Sequence, residues 1–111
     1  MAQSDPGRVV QFRPLPSQLL QQVRKAAEDS ANVFFGTHAR ERMEERGITT
    51  LDVLRALRSG DLKGGIEPGR NRGEWKCKVV KQTKGTREVG VVTIVTSAQR
   101  LFVKTVEWED L

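Results

Sequence analysis

The spacing of apolar residues changes once along this 111-residue chain, near Gly60, and that change constrains the fold more than any other feature. Before Gly60, apolar residues recur every three to four positions, as on one side of an amphipathic helix. After Gly60 they recur at every second position, as in a strand that buries one face. Helices followed by strands predict an α+β domain, with N-terminal helices packed on one face of an antiparallel sheet of three to four strands.

Three helices are expected in the first half, over about 17–30, 38–46 and 50–58. The first and third have a clear apolar stripe, and in the third this stripe includes Leu51. A brief apolar run at 33–35 is either a short strand or a buried connector.

The junction between the second and third helices carries strong local signals. Gly47 is expected in the left-handed conformation that ends a helix. Thr49 and Asp52 have the spacing of a capping box, and Ile48 precedes the cap as in a hydrophobic staple. The sequence therefore predicts two short helices joined by a very tight turn.

The strands of the second half differ in their predicted environments. Trp75, Cys77 and Val79 alternate with Lys76 and Lys78, which predicts a half-buried strand with an outer face of cations. The segment 88–96 is apolar on both faces, as expected of a central strand, and a third strand is predicted over 101–108. One face of the sheet should remain open.

A few features of the sequence limit the domain organisation and the possible chemistry of this chain. Residues 1–16 are predicted to be a disordered lead, because Pro14 and Pro16 interrupt regular structure, and 17–111 to be a single domain. One cysteine and one histidine exclude a disulfide scaffold and the common zinc sites, so neither a metal nor a cofactor is expected. No apolar run reaches the roughly 18 residues of a membrane span, and there is no signal-peptide core. We therefore expect a cytoplasmic protein with no membrane partner.

The positive charge is concentrated in one part of the chain. The net charge is +5, and residues 61–89 hold eight cations against four carboxylates. Such a block favours a polyanionic partner, although it also fits a surface that simply keeps the protein soluble. The predicted nucleic-acid-binding residues are Arg70, Arg72, Lys76, Lys78, Lys81 and Arg87.

Two motifs resemble a known family. Residues 38–49 read HARERMEERGIT, which is similar to the H-A-x-x-R-M-x-E-R-G-I-S signature of a small bacterial domain of unknown function. Residues 73–79, GEWKCKV, resemble the G-x-W-K-x-x-V segment of the same family, and the similarity covers about 36–106. In size and element order, members of this family resemble the RelE- and BrnT-like toxins. The present chain differs from these toxins in having no tyrosine, and its first 35 or so residues lie outside the match.

The resemblance implies a function. RelE- and BrnT-like toxins are basic α+β proteins that cut messenger RNA, in some cases on the ribosome, and are silenced by an antitoxin protein. By analogy, this chain is expected to be a toxin-like, metal-independent endoribonuclease with RNA and an antitoxin as partners. The alternatives are a non-catalytic nucleic-acid binder, including a helix-turn-helix that reads DNA, and a protein-interaction module.

Metal-free RNA cleavage needs a base, an acid and cations around the phosphate. His38, as the first residue after a Thr37 cap, is the candidate base or acid, and Arg42 and Arg46 on the same helix face are candidate phosphate ligands. Each has a structural alternative: His38 could be a simple hydrogen-bonding residue, and the two arginines could form a solvated ion-pair face with Glu41 and Glu45. Arg42 and Glu45 could also brace the tight turn or fasten the helix to the sheet. Trp75 could stack on a base, but its alternation favours the core.

Overall fold

The computed structural model describes residues 13–110 apart from the side chain of Lys84. The expected disordered lead therefore lies mainly outside the described residues. Pro16, the last residue of that predicted lead, is the first residue of helix α1 (Pro16–Ala27). Proline is compatible with the first turn of a helix, where its missing N–H would have no intrahelical partner.

The two central helices have the predicted bounds within one residue. Helix α2 (Thr37–Arg46) ends at Gly47, whose φ is 65°. Helix α3 (Thr50–Ser59) begins with the predicted capping box, in which Asp52 N donates to Thr49 Oγ1 over 3.1 Å and Thr49 N donates to Asp52 Oδ2 over 3.0 Å. The cap of α2 differs from the prediction, because Gly36 occupies the N-cap position and Thr37 is already helical.

The sheet is larger than predicted and is mixed. Its long strands are β4 (Trp75–Lys84), β5 (Arg87–Val95) and β6 (Leu101–Trp108), which form the expected antiparallel meander with β5 in the middle. Three short strands extend this meander. They are β1 (Val33–Phe35), β2 (Asp61–Leu62) and β3 (Glu67–Pro68).

The short strands lie on both sides of the meander. Strands β2 and β3 pair antiparallel with β4, while β1 pairs parallel with β6 in the register Val33–Leu101, Phe34–Phe102 and Phe35–Val103. Parallel strands need a long crossover connection, and α2, α3 and the other strands provide it between β1 and β6. The α+β class is confirmed, and the apolar run at 33–35 is a strand.

The core lies between the helices and one face of the sheet. Helix α2 packs against β6, and α3 packs against β4, β5 and α1. Trp75, Cys77 and Val79 are buried on this covered face, which confirms the predicted alternation and excludes Trp75 as a stacking surface. Leu51 is half exposed, so the prediction that it belongs to the buried stripe of α3 is wrong. The opposite face of the sheet, which we call the open face, carries no helix among the described residues.

Candidate nucleic-acid interface

The three candidate catalytic residues lie on α2, and both arginines among them have partners within the protein. His38 is exposed, and Arg42 makes an ion pair with Glu45 over 2.7 Å. Arg46 is engaged with the sheet, since its Nη1 donates to the Val106 carbonyl over 2.9 Å. The predicted phosphate clamp of two arginines is therefore not assembled in this structure.

Arg46 forms a reciprocal clasp between α2 and β6. Besides the bond to Val106, the Arg46 carbonyl accepts a hydrogen bond from Trp108 Nε1 over 2.8 Å. Trp108 is almost fully buried, and the guanidinium of Arg87 lies 4.1 Å from its ring centroid. The residue that fastens the helix to the sheet is therefore Arg46, whereas the sequence suggested this role for Arg42 and Glu45.

The six cations predicted to bind nucleic acid fall into three places. Lys76 and Lys78 lie on the open face as predicted, and Arg70 and Arg72 are exposed in the loop between β3 and β4. Lys81 and Arg87 share the face of buried Val79 and Val89, so they belong to the covered side. The structure therefore does not join the six into one surface.

Acidic residues neutralise part of the open face. Lys78 Nζ lies 2.6 Å from Glu109 Oε2 and 3.6 Å from Glu107, and Lys63 Nζ donates to Glu109 Oε1 over 2.7 Å. Lys76 makes a longer contact of 3.8 Å with Glu67. Lys76 and Lys78 therefore already have carboxylate partners, which the sequence alone did not indicate.

Glu109 is the centre of this charged cluster. Burial acts to raise the pKa of Glu109, but hydrogen bonds from Lys63 and Lys78 outweigh it and hold this pKa below its ordinary value. The same contact with Glu109 raises the pKa of Lys63. Gly90 provides the space, since a Cβ there would collide with the Glu109 carboxylate and would lie 2.7 Å from Lys78 Cε.

The other half of the open face is aromatic. Phe34 on β1 and Phe102 on β6 are direct neighbours in the parallel register. The exposed fraction is 46% for Phe34 and 39% for Phe102. Ile94 on β5 pairs with Phe102 and extends the apolar surface. We call Phe34 and Phe102 the aromatic patch. Contiguous apolar surface on an exposed face is a feature of binding sites.

Cations surround the aromatic patch. The guanidinium of Arg100 lies 5.8 Å from the ring centroid of Phe34. Arg70 and Lys104 line a pocket of about 380 Å³ together with Phe102. None of these three cations has a carboxylate partner within ion-pair distance among the described residues. Their charge is therefore available to an anionic ligand.

The start of α2, which carries His38, contacts the aromatic patch. A Cβ at Gly36 would lie 2.7 Å from Phe102 Cζ, so the N-cap of α2 is in contact with the aromatic ring. His38 follows Gly36 by two residues. The Cα atom of His38 is thus at most about 7.6 Å from that of Gly36, a residue that contacts the patch.

The described residues form a small α+β domain whose helices cover one face of a mixed sheet and leave the other exposed. The chain belongs to the family described as Domain of unknown function (DUF4258), whose model matches residues 35–108. This confirms the prediction of a domain family of unknown function, while the likeness to RelE and BrnT toxins stays a prediction. No curated protein and no solved structure matches the chain.

Two further findings concern residues 13–110 only. None of their helices has the length and apolar content needed to cross a membrane. Within the same residues, no group of three or more histidine, cysteine, aspartate or glutamate side chains is arranged to hold a metal ion.

Proposed function

We propose that this protein binds single-stranded RNA on the open face of its sheet, with bases stacked on Phe34 and Phe102. The observation that carries the proposal is the aromatic patch itself, with its two rings in register and half exposed. Single-stranded nucleic acids are recognised by aromatic rings on exposed sheets, and base stacking contributes about 1–3 kcal/mol per base.

The charges near the patch support an RNA ligand. Arg100, Lys104 and Arg70 surround the rings, while Lys63 and Lys78 are neutralised by Glu109 in the other half of the face. Stacking would therefore hold the bases, and the unpaired cations would contact the phosphates and release counterions. We expect affinity to fall as salt concentration rises.

The helix pair does not favour a DNA-reading alternative. In a helix-turn-helix, the second helix presents its side chains to the major groove. Here α2 and α3 pack mainly on different strands, and Arg58 Nε of α3 donates to the Ala27 carbonyl over 2.7 Å. The predicted likeness to mRNA-cutting toxins is our reason to favour RNA over single-stranded DNA.

The binding test is fluorescence anisotropy with a labelled 12-nucleotide RNA. Phe34→Ala and Phe102→Ala should each weaken binding about 5- to 150-fold, as expected for the loss of one stacked base. Leu51→Ala is the matched control, because Leu51 is equally exposed but lies on α3, and it should bind like the wild type. Wild-type protein that binds no RNA, or phenylalanine variants that bind normally, would refute the proposal.

A second candidate function is RNA cleavage, favoured by the position of His38. The only histidine of the chain is exposed in the first turn of α2, next to the contact between Gly36 and Phe102. An imidazole there could take a proton from a 2′-hydroxyl of the bound strand or give one to the leaving oxygen.

Cleavage is separable from binding in one experiment. His38→Ala should abolish the cleavage of RNA and leave the affinity of the protein for RNA unchanged. Phe102→Ala should reduce both the cleavage and the affinity. In a bacterium, induced wild-type protein should arrest growth and create new RNA 5′ ends, and His38→Ala should not. Intact RNA with bound wild-type protein would leave a binding module and exclude the ribonuclease. An antitoxin partner, under the same proposal, would cover the aromatic patch.

A further inference from the structure

The pocket beside Phe102 contains a carboxylate in addition to its cations. Its lining includes Arg70, Glu74, Ile94, Phe102 and Lys104, and its volume of about 380 Å³ is at the lower end of the range for small-ligand sites. A single nucleotide is a ligand of this size. The pocket adjoins the aromatic patch, so a base stacked on Phe102 would place its edge close to the other lining residues.

The Glu74 carboxylate is held in a fixed orientation. Asn71 N donates to Glu74 Oε1 over 3.1 Å, and Asn71 Nδ2 donates to Glu74 Oε2 over 3.2 Å. Gly69 lets the glutamate approach the loop, since a Cβ at that position would lie 2.6 Å from Glu74 Cβ. An ionised carboxylate has about four acceptor positions, so each oxygen can accept a further hydrogen bond from a ligand.

From this arrangement we infer that the pocket beside Phe102 selects guanine, with Glu74 accepting hydrogen bonds from its Watson–Crick edge. Guanine presents two adjacent donors there, N1–H and the N2 amino group, and each Glu74 oxygen keeps one acceptor position beside its bond from Asn71. Cytosine and adenine present a single amino group, and uracil presents one N–H between two carbonyl oxygens that a carboxylate repels. The inference rests on the proposed binding of RNA to the aromatic patch.

The test compares two RNAs that differ in one base. Anisotropy is measured with a nine-nucleotide oligo(U) and with the same strand carrying guanine at its centre, where wild-type protein should prefer the guanine strand by about tenfold or more. Glu74→Gln keeps the size of the side chain and should lose this preference but still bind oligo(U), with circular dichroism as the check that the variant is folded. Asn71→Ala removes the side-chain hydrogen bond that helps to orient the Glu74 carboxylate, so it should reduce the preference for guanine.

Glu28→Gln is the matched control, because it removes the same charge from an exposed residue at the end of α1. It should keep the preference for guanine, which separates base recognition from a general change in electrostatics. Equal affinity of the wild type for both strands would overturn the guanine pocket and leave RNA binding in place. Absence of binding to either strand would overturn both proposals, and a preference that survives Glu74→Gln would exclude this glutamate.

Discussion

Replacing Arg46 by methionine should lower the free energy of unfolding by about 1.5–3 kcal/mol, the usual contribution of a hydrogen bond to a charged group. Methionine keeps most of the aliphatic stem but cannot donate to the Val106 carbonyl, which now accepts from Arg46 Nη1 over 2.9 Å. The bond from Trp108 to the Arg46 carbonyl involves only the backbone of residue 46, so it should persist. For a domain of this size, each kcal/mol lowers the melting temperature by about 4–8 °C.

Arg42→Met is the matched control for this prediction. The ion pair of Arg42 with Glu45 is solvent-exposed and joins residues three apart on one helix, so its loss should cost no more than about 0.5 kcal/mol. Urea unfolding followed by tryptophan fluorescence suits both variants, because Trp75 and Trp108 are buried. Equal stability of the two variants would refute the reasoning that Arg46 fastens α2 to the sheet.

Three further predictions concern single residues. Glu109→Gln should destabilise the protein at neutral pH, because burial acts to raise the folded-state pKa of Glu109 but Lys63 and Lys78 outweigh it and lower this pKa. The difference in unfolding free energy from the wild type should be full above the unfolded-state pKa of about 4.3 and should vanish as the pH falls through the lower folded-state pKa. Urea unfolding at a series of pH values measures this difference. Burial raises the pKa of the Cys77 thiol to about 11, so a thiol reagent at pH 7 should modify Cys77 only when denaturant unfolds the protein, and rapid labelling of native protein would contradict this. Gly47→Ala should cost about 1–2 kcal/mol in thermal unfolding, because alanine is strained at a φ of 65°, and an unchanged melting temperature would be inconsistent with that backbone.

The features predictable from sequence are those fixed by neighbours along the chain. The capping box of Thr49 and Asp52 and the left-handed Gly47 depend on contacts within a few residues. The alternation of Trp75 with Lys76 likewise follows from the geometry of one strand. Each of these predictions is confirmed by the structure.

The features that were missed depend on contacts between distant segments. Arg46 meets Val106 and Lys63 meets Glu109 only after the sheet has formed, so no local pattern indicated that these charges have partners. The aromatic patch likewise joins Phe34 on β1 to Phe102 on β6, two strands that are far apart in sequence. A weak signal existed, because Phe102 stands between Leu101 and Val103 and makes that strand apolar on both faces.

The central claim is that single-stranded RNA lies on the aromatic patch, and photo-crosslinking tests it most directly. An RNA containing 4-thiouridine is irradiated with the full chain, and the cross-linked peptides are identified by mass spectrometry. The account predicts cross-links at Phe34 and Phe102, which unlabelled RNA should compete away. Cross-links confined to the exposed side of α3 around Leu51 would contradict the account.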